Sequence, residues 1–170
     1  VGGELYMQAT ANAMWRWTGH GWAPAGWRPG GQVYTMAADS DGNLYVGGDI
    51  AVYNGETLIA RYLAKWDGVA WSPLGSGVNH QVFALAVDTN DNLYVGGRFT
   101  TAGGTAANHV ALWNGAAWQP LGDGSADWVY ALTMTDQGAL YAGVASNGVA
   151  QWNGANWVSL ALGSSTIRAL

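Results

Sequence analysis

A six-residue pattern, Trp-x-Gly-x-x-Trp, occurs four times in this chain: Trp17 to Trp22, Trp66 to Trp71, Trp113 to Trp118 and Trp152 to Trp157. Its internal spacing is invariant, and successive copies lie 49, 47 and 39 residues apart. Self-similarity at a period of ~40–50 residues restricts the fold to arrays in which each repeat is one supersecondary unit that buries its faces against its neighbours. Two further patterns keep step with the first. Leu-Tyr followed by small residues recurs at Leu5–Tyr6, Leu44–Tyr45–Val46–Gly47–Gly48, Leu93–Tyr94–Val95–Gly96–Gly97 and Leu140–Tyr141–Ala142–Gly143. An alternating apolar run recurs at Val33–Met36, Val82–Leu85, Val129–Leu132 and Ile167–Leu170.

Each repeat reads as four short strands. Strand A is the alternating run, with period-2 patterning and β-branched or aromatic residues. A turn such as Asp39–Asn43 or Asp88–Asn92 leads to strand B, the Leu-Tyr-Val-Gly-Gly segment. Strand C ends at the first Trp of the pair, and strand D runs from the second Trp to Pro-Leu-Gly, as at Pro73–Gly75 and Pro120–Gly122. The Asp-Gly or Asn-Gly between the two Trp residues is expected to supply both positive-φ residues of a tight hairpin. A repeated four-stranded antiparallel unit of this length is the signature of a β-propeller blade.

The chain enters at the B strand of the first repeat and leaves on an A strand, so the last strand is placed to complete the first blade. Around that closure the Tyr-to-Tyr spacings are 39, 49, 47 and 35. The sequence therefore predicts an all-β fold: a four-bladed β-propeller, each blade a four-stranded antiparallel sheet, with the ring closed by the C-terminal strand. Blade 1 spans 1–30 plus 166–170, blade 2 31–79, blade 3 80–126 and blade 4 127–165, all in one domain. The alternative is a larger ring assembled from two chains.

Composition agrees and narrows the function. With 49% hydrophobic and only 10% charged residues, the chain is not an intrinsically disordered one. No apolar run reaches the ~18–20 residues that span a bilayer as a helix, so membrane insertion is not expected. Six Lys plus Arg at a net charge of −5 cannot track a phosphate backbone, which argues against nucleic acid as a partner. Without Cys there is no disulfide framework and no thiolate chemistry.

The segment Gly96–Gly97–Arg98–Phe99–Thr100–Thr101–Ala102–Gly103–Gly104–Thr105, running on to Asn108–His109–Val110–Ala111–Leu112–Trp113–Asn114–Gly115, resembles the kelch-like propeller repeats of large secreted bacterial proteins and fungal cell-surface proteins. It lacks the Tyr that kelch repeats proper place before the Trp. The A–B hairpin also looks like that of NHL-type repeats. The resemblance implies a propeller scaffold and a secreted or cell-surface setting; it implies no activity.

Catalytic and metal signatures are weak. His20, His80 and His109 show no ligand spacing, so no metal is expected. Asp39–Ser40–Asp41–Gly42–Asn43 carries part of a calcium-loop pattern but lacks its distal Glu, and reads instead as a β-turn held by Asx side chains. Asp49, Glu56 and Asp127 have no spacing that favours acid–base work, so no catalytic residue, cofactor or enzymatic activity is assigned.

Of the 11 Trp, eight form the pairs and Trp15 adjoins one, which makes the Trp excess mostly packing. Trp27 and Trp128 stand outside the pattern, in D–A connections. These connections share one rim of a propeller with the B–C connections, which in blades 2 and 3 are long and polar. Trp27, Trp128, Asp49, Asn54, Arg61, Arg98, His80 and Asn108 are therefore the candidate ligand-binding residues, Trp for stacking and the rest for hydrogen bonds or charge. The competing reading folds both Trp side chains back over the core.

The function expected is a non-catalytic extracellular binding or protein-interaction and assembly module, with a protein partner or larger host assembly. The alternative is a lectin-like propeller that binds carbohydrate on this rim. A glycan-active enzyme and an engineered propeller are lesser readings.

Overall fold

The computed structural model describes residues 6–8, 14–17, 20, 22–24, 30–146, 148–160 and 167–169. The regular structure within them is antiparallel β. A three-stranded sheet comes first: β1 (Tyr6–Gln8), β2 (Met14–Trp17) and β3 (Trp22–Pro24). A four-stranded sheet follows, of β4 (Gly30–Ala38), β5 (Leu44–Asn54), β6 (Thr57–Trp66) and β7 (Trp71–Ser72) in that order. The next repeat supplies β8 (Val82–Val87), β9 (Leu93–Gly97), β12 (Val110–Trp113) and β13 (Trp118–Pro120) as a sheet, with β10 (Thr101–Ala102) and β11 (Thr105–Ala106) as a small separate hairpin between β9 and β12. The last sheet is β14 (Val129–Met134), β15 (Leu140–Val144), β16 (Gly148–Trp152) and β17 (Trp157–Ser159). Each four-stranded sheet meanders through A, B, C and D in spatial order, as the repeats predict. Among the described residues no ladder joins Ile167–Ala169 to β1.

The core lies between successive sheets. Leu63, Leu74 and Val78 cluster with Val82, Leu93 and Val95 of the following sheet, and Val110 and Leu121 cluster with Val129, Leu140 and Ala142 of the one after. Residues 44–48 of β5 are buried without alternation, because both faces of the sheet are covered.

The first Gly of each Leu-Tyr-x-Gly segment explains how closely the sheets approach. A Cβ on Gly47 would fall 2.6 Å from Val82 Cγ1, and one on Gly96 2.5 Å from Val129 Cγ1. On Gly143 it would fall 3.1 Å from the Cβ of Ile167. What enters against Gly47 and Gly96 is the aliphatic side chain that opens the next A strand.

The period-2 reading of the A strands misses a β-bulge, present in each between Val33 and Thr35, Val82 and Ala84, and Val129 and Ala131. The residue beside the register shift is aromatic, and these rings form a row: Phe83 lies 5.7 Å from Tyr34 and 5.0 Å from Tyr130. The guanidinium of Arg168 lies 5.3 Å from the centre of the Tyr130 ring.

The Trp pairs are near-copies, with ring centres 5.4, 5.4 and 5.5 Å apart in the three four-stranded sheets. The loop between them differs from expectation. Only the Gly has positive φ, at 93°, 89° and 94° for Gly68, Gly115 and Gly154. The preceding Asp or Asn instead accepts two backbone N–H groups: Asp67 Oδ1 those of Val69 and Ala70 at 2.8 Å, Asn114 Oδ1 those of Ala116 and Ala117, and Asn153 Oδ1 those of Ala155 and Asn156. The result is a four-residue Asx-capped turn. Asp39 and Asp88 serve the A–B turns likewise, each taking the backbone and side-chain N–H groups of Asn43 or Asn92.

One pair member also ties sheets together: Trp118 Nε1 donates to the Leu74 carbonyl of the previous sheet at 2.7 Å. The equivalent nitrogen of Trp157 is buried without a partner among the described residues. Trp118→Phe should therefore cost about 1 kcal/mol more than Trp157→Phe, because both lose ring volume but only the first loses a hydrogen bond, the Leu74 carbonyl keeping the Gly77 N–H. Urea unfolding of the two variants measures the difference, and equal losses would refute it.

Candidate functional site

The B–C and D–A connections converge at one end of the sheets. The sequence expects long B–C loops there, but the connection in the second sheet is a continuation of β5 and β6 into a hairpin, with Tyr53 opposite Leu58 and Asn54 opposite Thr57. In the third repeat the connection is β10–β11, whose Ala102 bridges to Val78. Phe99, at 0% exposure, and Ala107 anchor this polar segment in the core.

At each described junction, the residue after the strand-B Gly pair meets the residue that precedes the next A strand. Asp49 Oδ2 accepts from Gln81 Nε2 at 3.0 Å. In the next junction the Arg98 guanidinium lies 4.4 Å from the centre of the Trp128 ring, a cation–π contact. Arg98 is exposed and Trp128 half-buried, so the indole is covered by Arg98 rather than presented as an open stacking platform. Trp27 lies outside the described residues.

The remaining candidates do not gather round Trp128 as one site. His80 accepts the Gln81 N–H at Nδ1, 2.9 Å, and stacks on Tyr62 with ring centres 5.8 Å apart and planes 8° from parallel. Asn108 Nδ2 donates to the Asp123 carbonyl at 3.0 Å. Asn54 is exposed at the end of β5. Arg61 is exposed beside a groove of about 540 Å³ that runs between residues 58–63 of β6 and the connection 73–79, with Leu58, Tyr62, Ser76 and Asn79 among its walls.

Sequence reasoning missed Tyr62 and Asn79. Tyr62 and His109 occupy equivalent positions before strand C, both in the left-handed region, at φ 65° and 67°, where the last repeat has Gly148 at φ 69°. That equivalence was visible only as an offset from the Trp pair. Asn79 takes the N–H groups of Thr100 and Thr101 on Oδ1, at 2.9 and 3.0 Å, and so holds the two connections together.

Asp127, His109 and Ser146 also lie near one another on this rim. The hydrogen bond from Ser146, then that from the Trp128 N–H, holds the Asp127 carboxyl below its ordinary range. Burial pushes His109 down, with the Asp127 charge opposing. Ser146 Oγ donates directly to Asp127 and not to an imidazole, so the trio is not ordered as a nucleophile–base relay.

Residues 28–49 match a family model described as two component regulator propeller. No curated protein matches the chain. The fold is similar to a solved structure described as YCF48 bound to D1 peptide, with a TM-score of 0.54 and 16% identity, covering 94% of this chain and 50% of that one. The chain thus spans half of that protein's length, and the likeness is one of fold: a β-propeller built from repeats.

Proposed function

We propose that this chain is a non-catalytic binding module whose B–C/D–A rim takes a protein partner, working in a secreted or cell-surface setting as the kelch-like repeats imply. The observation that carries this reading is the asymmetry of the two ends. The C–D turns of the three four-stranded sheets are near-identical capped loops, whereas the opposite rim carries two dissimilar insertions and an open groove bordered by Arg61. The D1 peptide on YCF48 supports a propeller of this kind presenting a peptide site.

The scaffold is read as a closed four-bladed ring. Ile167 packs on Gly143 as Val82 packs on Gly47 and Val129 on Gly96, and Arg168 extends the aromatic row as the next A strand would. Under this reading the protein is one self-contained disc whose rim faces a partner or a larger host assembly.

Carbohydrate is the weaker reading, because Arg98 occupies a face of Trp128 that a sugar would need. The discriminating experiment presents glycan and random-peptide arrays to the wild type and to Arg61→Ala and Trp128→Ala. Peptide binding that falls at least tenfold in Arg61→Ala is expected. Glycan binding lost in Trp128→Ala, with no peptide bound, would replace the proposal with the lectin reading.

A further inference from the structure

We infer that the outer edge of β6 is an acceptor for an extended, acidic peptide segment of a partner protein, which binds by adding a strand to the second sheet. This rests on the protein-interaction reading and specifies its site and mode. β6 runs for ten residues, but β7 pairs with only Lys65 and Trp66 of it. The cause is local. β7 stops at Ser72, while β6 extends well beyond it because the B–C connection of this repeat continues β5 and β6 into a hairpin. Gly75, at φ 58°, and the turn closed by the Gly77 N–H on the Leu74 carbonyl then carry the chain away towards the next sheet. Among the described residues no strand pairs with the outer edge of β6 from Thr57 to Ala64.

An edge strand left in this state presents unpaired backbone donors and acceptors, here in short runs, since the register of β6 shifts at Ile59 and at Tyr62, whose φ is 65°. These runs face the groove of about 540 Å³ instead of open solvent, because the connection 73–79 forms the far wall. A backbone edge selects an extended backbone, and side-chain pockets along it select sequence. Leu58, 43% exposed, offers an apolar contact at one end. Among the described residues Arg61 is the only charged one lining the groove, and its side chain makes no ion pair or hydrogen bond with any of them. In a protein of net charge −5, this exposed cation beside an open ladder favours a partner residue of negative charge.

The test uses the intact chain and a displayed library of random ~10-residue peptides, with selected sequences remade bearing single backbone N-methyl groups. Strand addition predicts acidic residues among the selected peptides. It also predicts loss of about tenfold or more in affinity when N-methylation falls on alternate positions, with little change at the positions between, since each lost backbone bond costs about that much. Arg61→Glu should reverse the preference to basic peptides without altering stability, because the side chain is exposed. Peptides that bind with no alternation in N-methyl sensitivity, or that lose affinity in Arg98→Ala and not Arg61→Glu, would overturn strand addition while leaving the interaction reading intact. Self-association of the chain through this edge, blocking peptide, would likewise overturn it. Selection of no peptide at all would overturn both.

Discussion

Phe99→Ala is expected to lower the stability of this protein by about 3–5 kcal/mol, the range for emptying a fully buried aromatic site. Phe99 is the largest side chain with less than 2% exposure among the described residues, yet it lies between β9 and β10 in a segment whose flanking residues Arg98 and Thr100 are exposed. Its ring joins the cluster of Val78, Val82, Ala102 and Ala107, so it fastens the β10–β11 hairpin and the preceding connection to the core at once. The loss should be read by urea unfolding. Hydrogen exchange should show the amides of Thr101–Ala107 deprotected before those of β9. A loss under about 1 kcal/mol would mean that the insertion carries no weight in the fold.

Gly96→Ala should cost about 3 kcal/mol although it adds a single methyl. The new Cβ would lie 2.5 Å from Val129 Cγ1, well inside contact distance, and Val129 is itself 0% exposed and has nowhere to move. Val129→Ala alone should cost about 2 kcal/mol through lost burial and a cavity. In the double variant the two methyl changes occupy the same space, so the combined loss should fall short of the sum by about 1–3 kcal/mol. Strict additivity in a double-mutant cycle would show that sheet-to-sheet contact does not pass through this pair.

Much of the fold is legible in the sequence because its signals are local and repeated. The Trp pairs sit at hairpin ends, the Asp-x-x-x-Asn turns cap themselves, and the Leu-Tyr-x-Gly segments mark the B strands. Repetition lets one copy corroborate another, so the strand order within each sheet follows without tertiary information. The bulges do not follow, since a bulge changes register by one residue and leaves the alternation of Val33–Met36 or Val82–Leu85 looking regular.

The candidate site was legible by place and not by role. Sorting loops by the rim they share brought Asp49, Arg98, Trp128 and Arg61 to one end of the sheets. It could not show that Asp49 reaches Gln81 or that Arg98 covers Trp128, because each partner comes from the next repeat, 32 residues on for one pair and 30 for the other. Nor could it show that Arg61 stands beside an unpaired ladder, which depends on how short β7 is relative to β6.

By itself, then, the sequence determined the unit: four strands, their turns, and the small residues that let one unit lie on the next. Those features follow from backbone conformation and side-chain size within ~40–50 residues. Only the tertiary structure decided which polar side chains are consumed in joining sheets and which stay open. That outcome turns on the relative lengths of strands and on contacts between residues of different repeats, which no local pattern encodes.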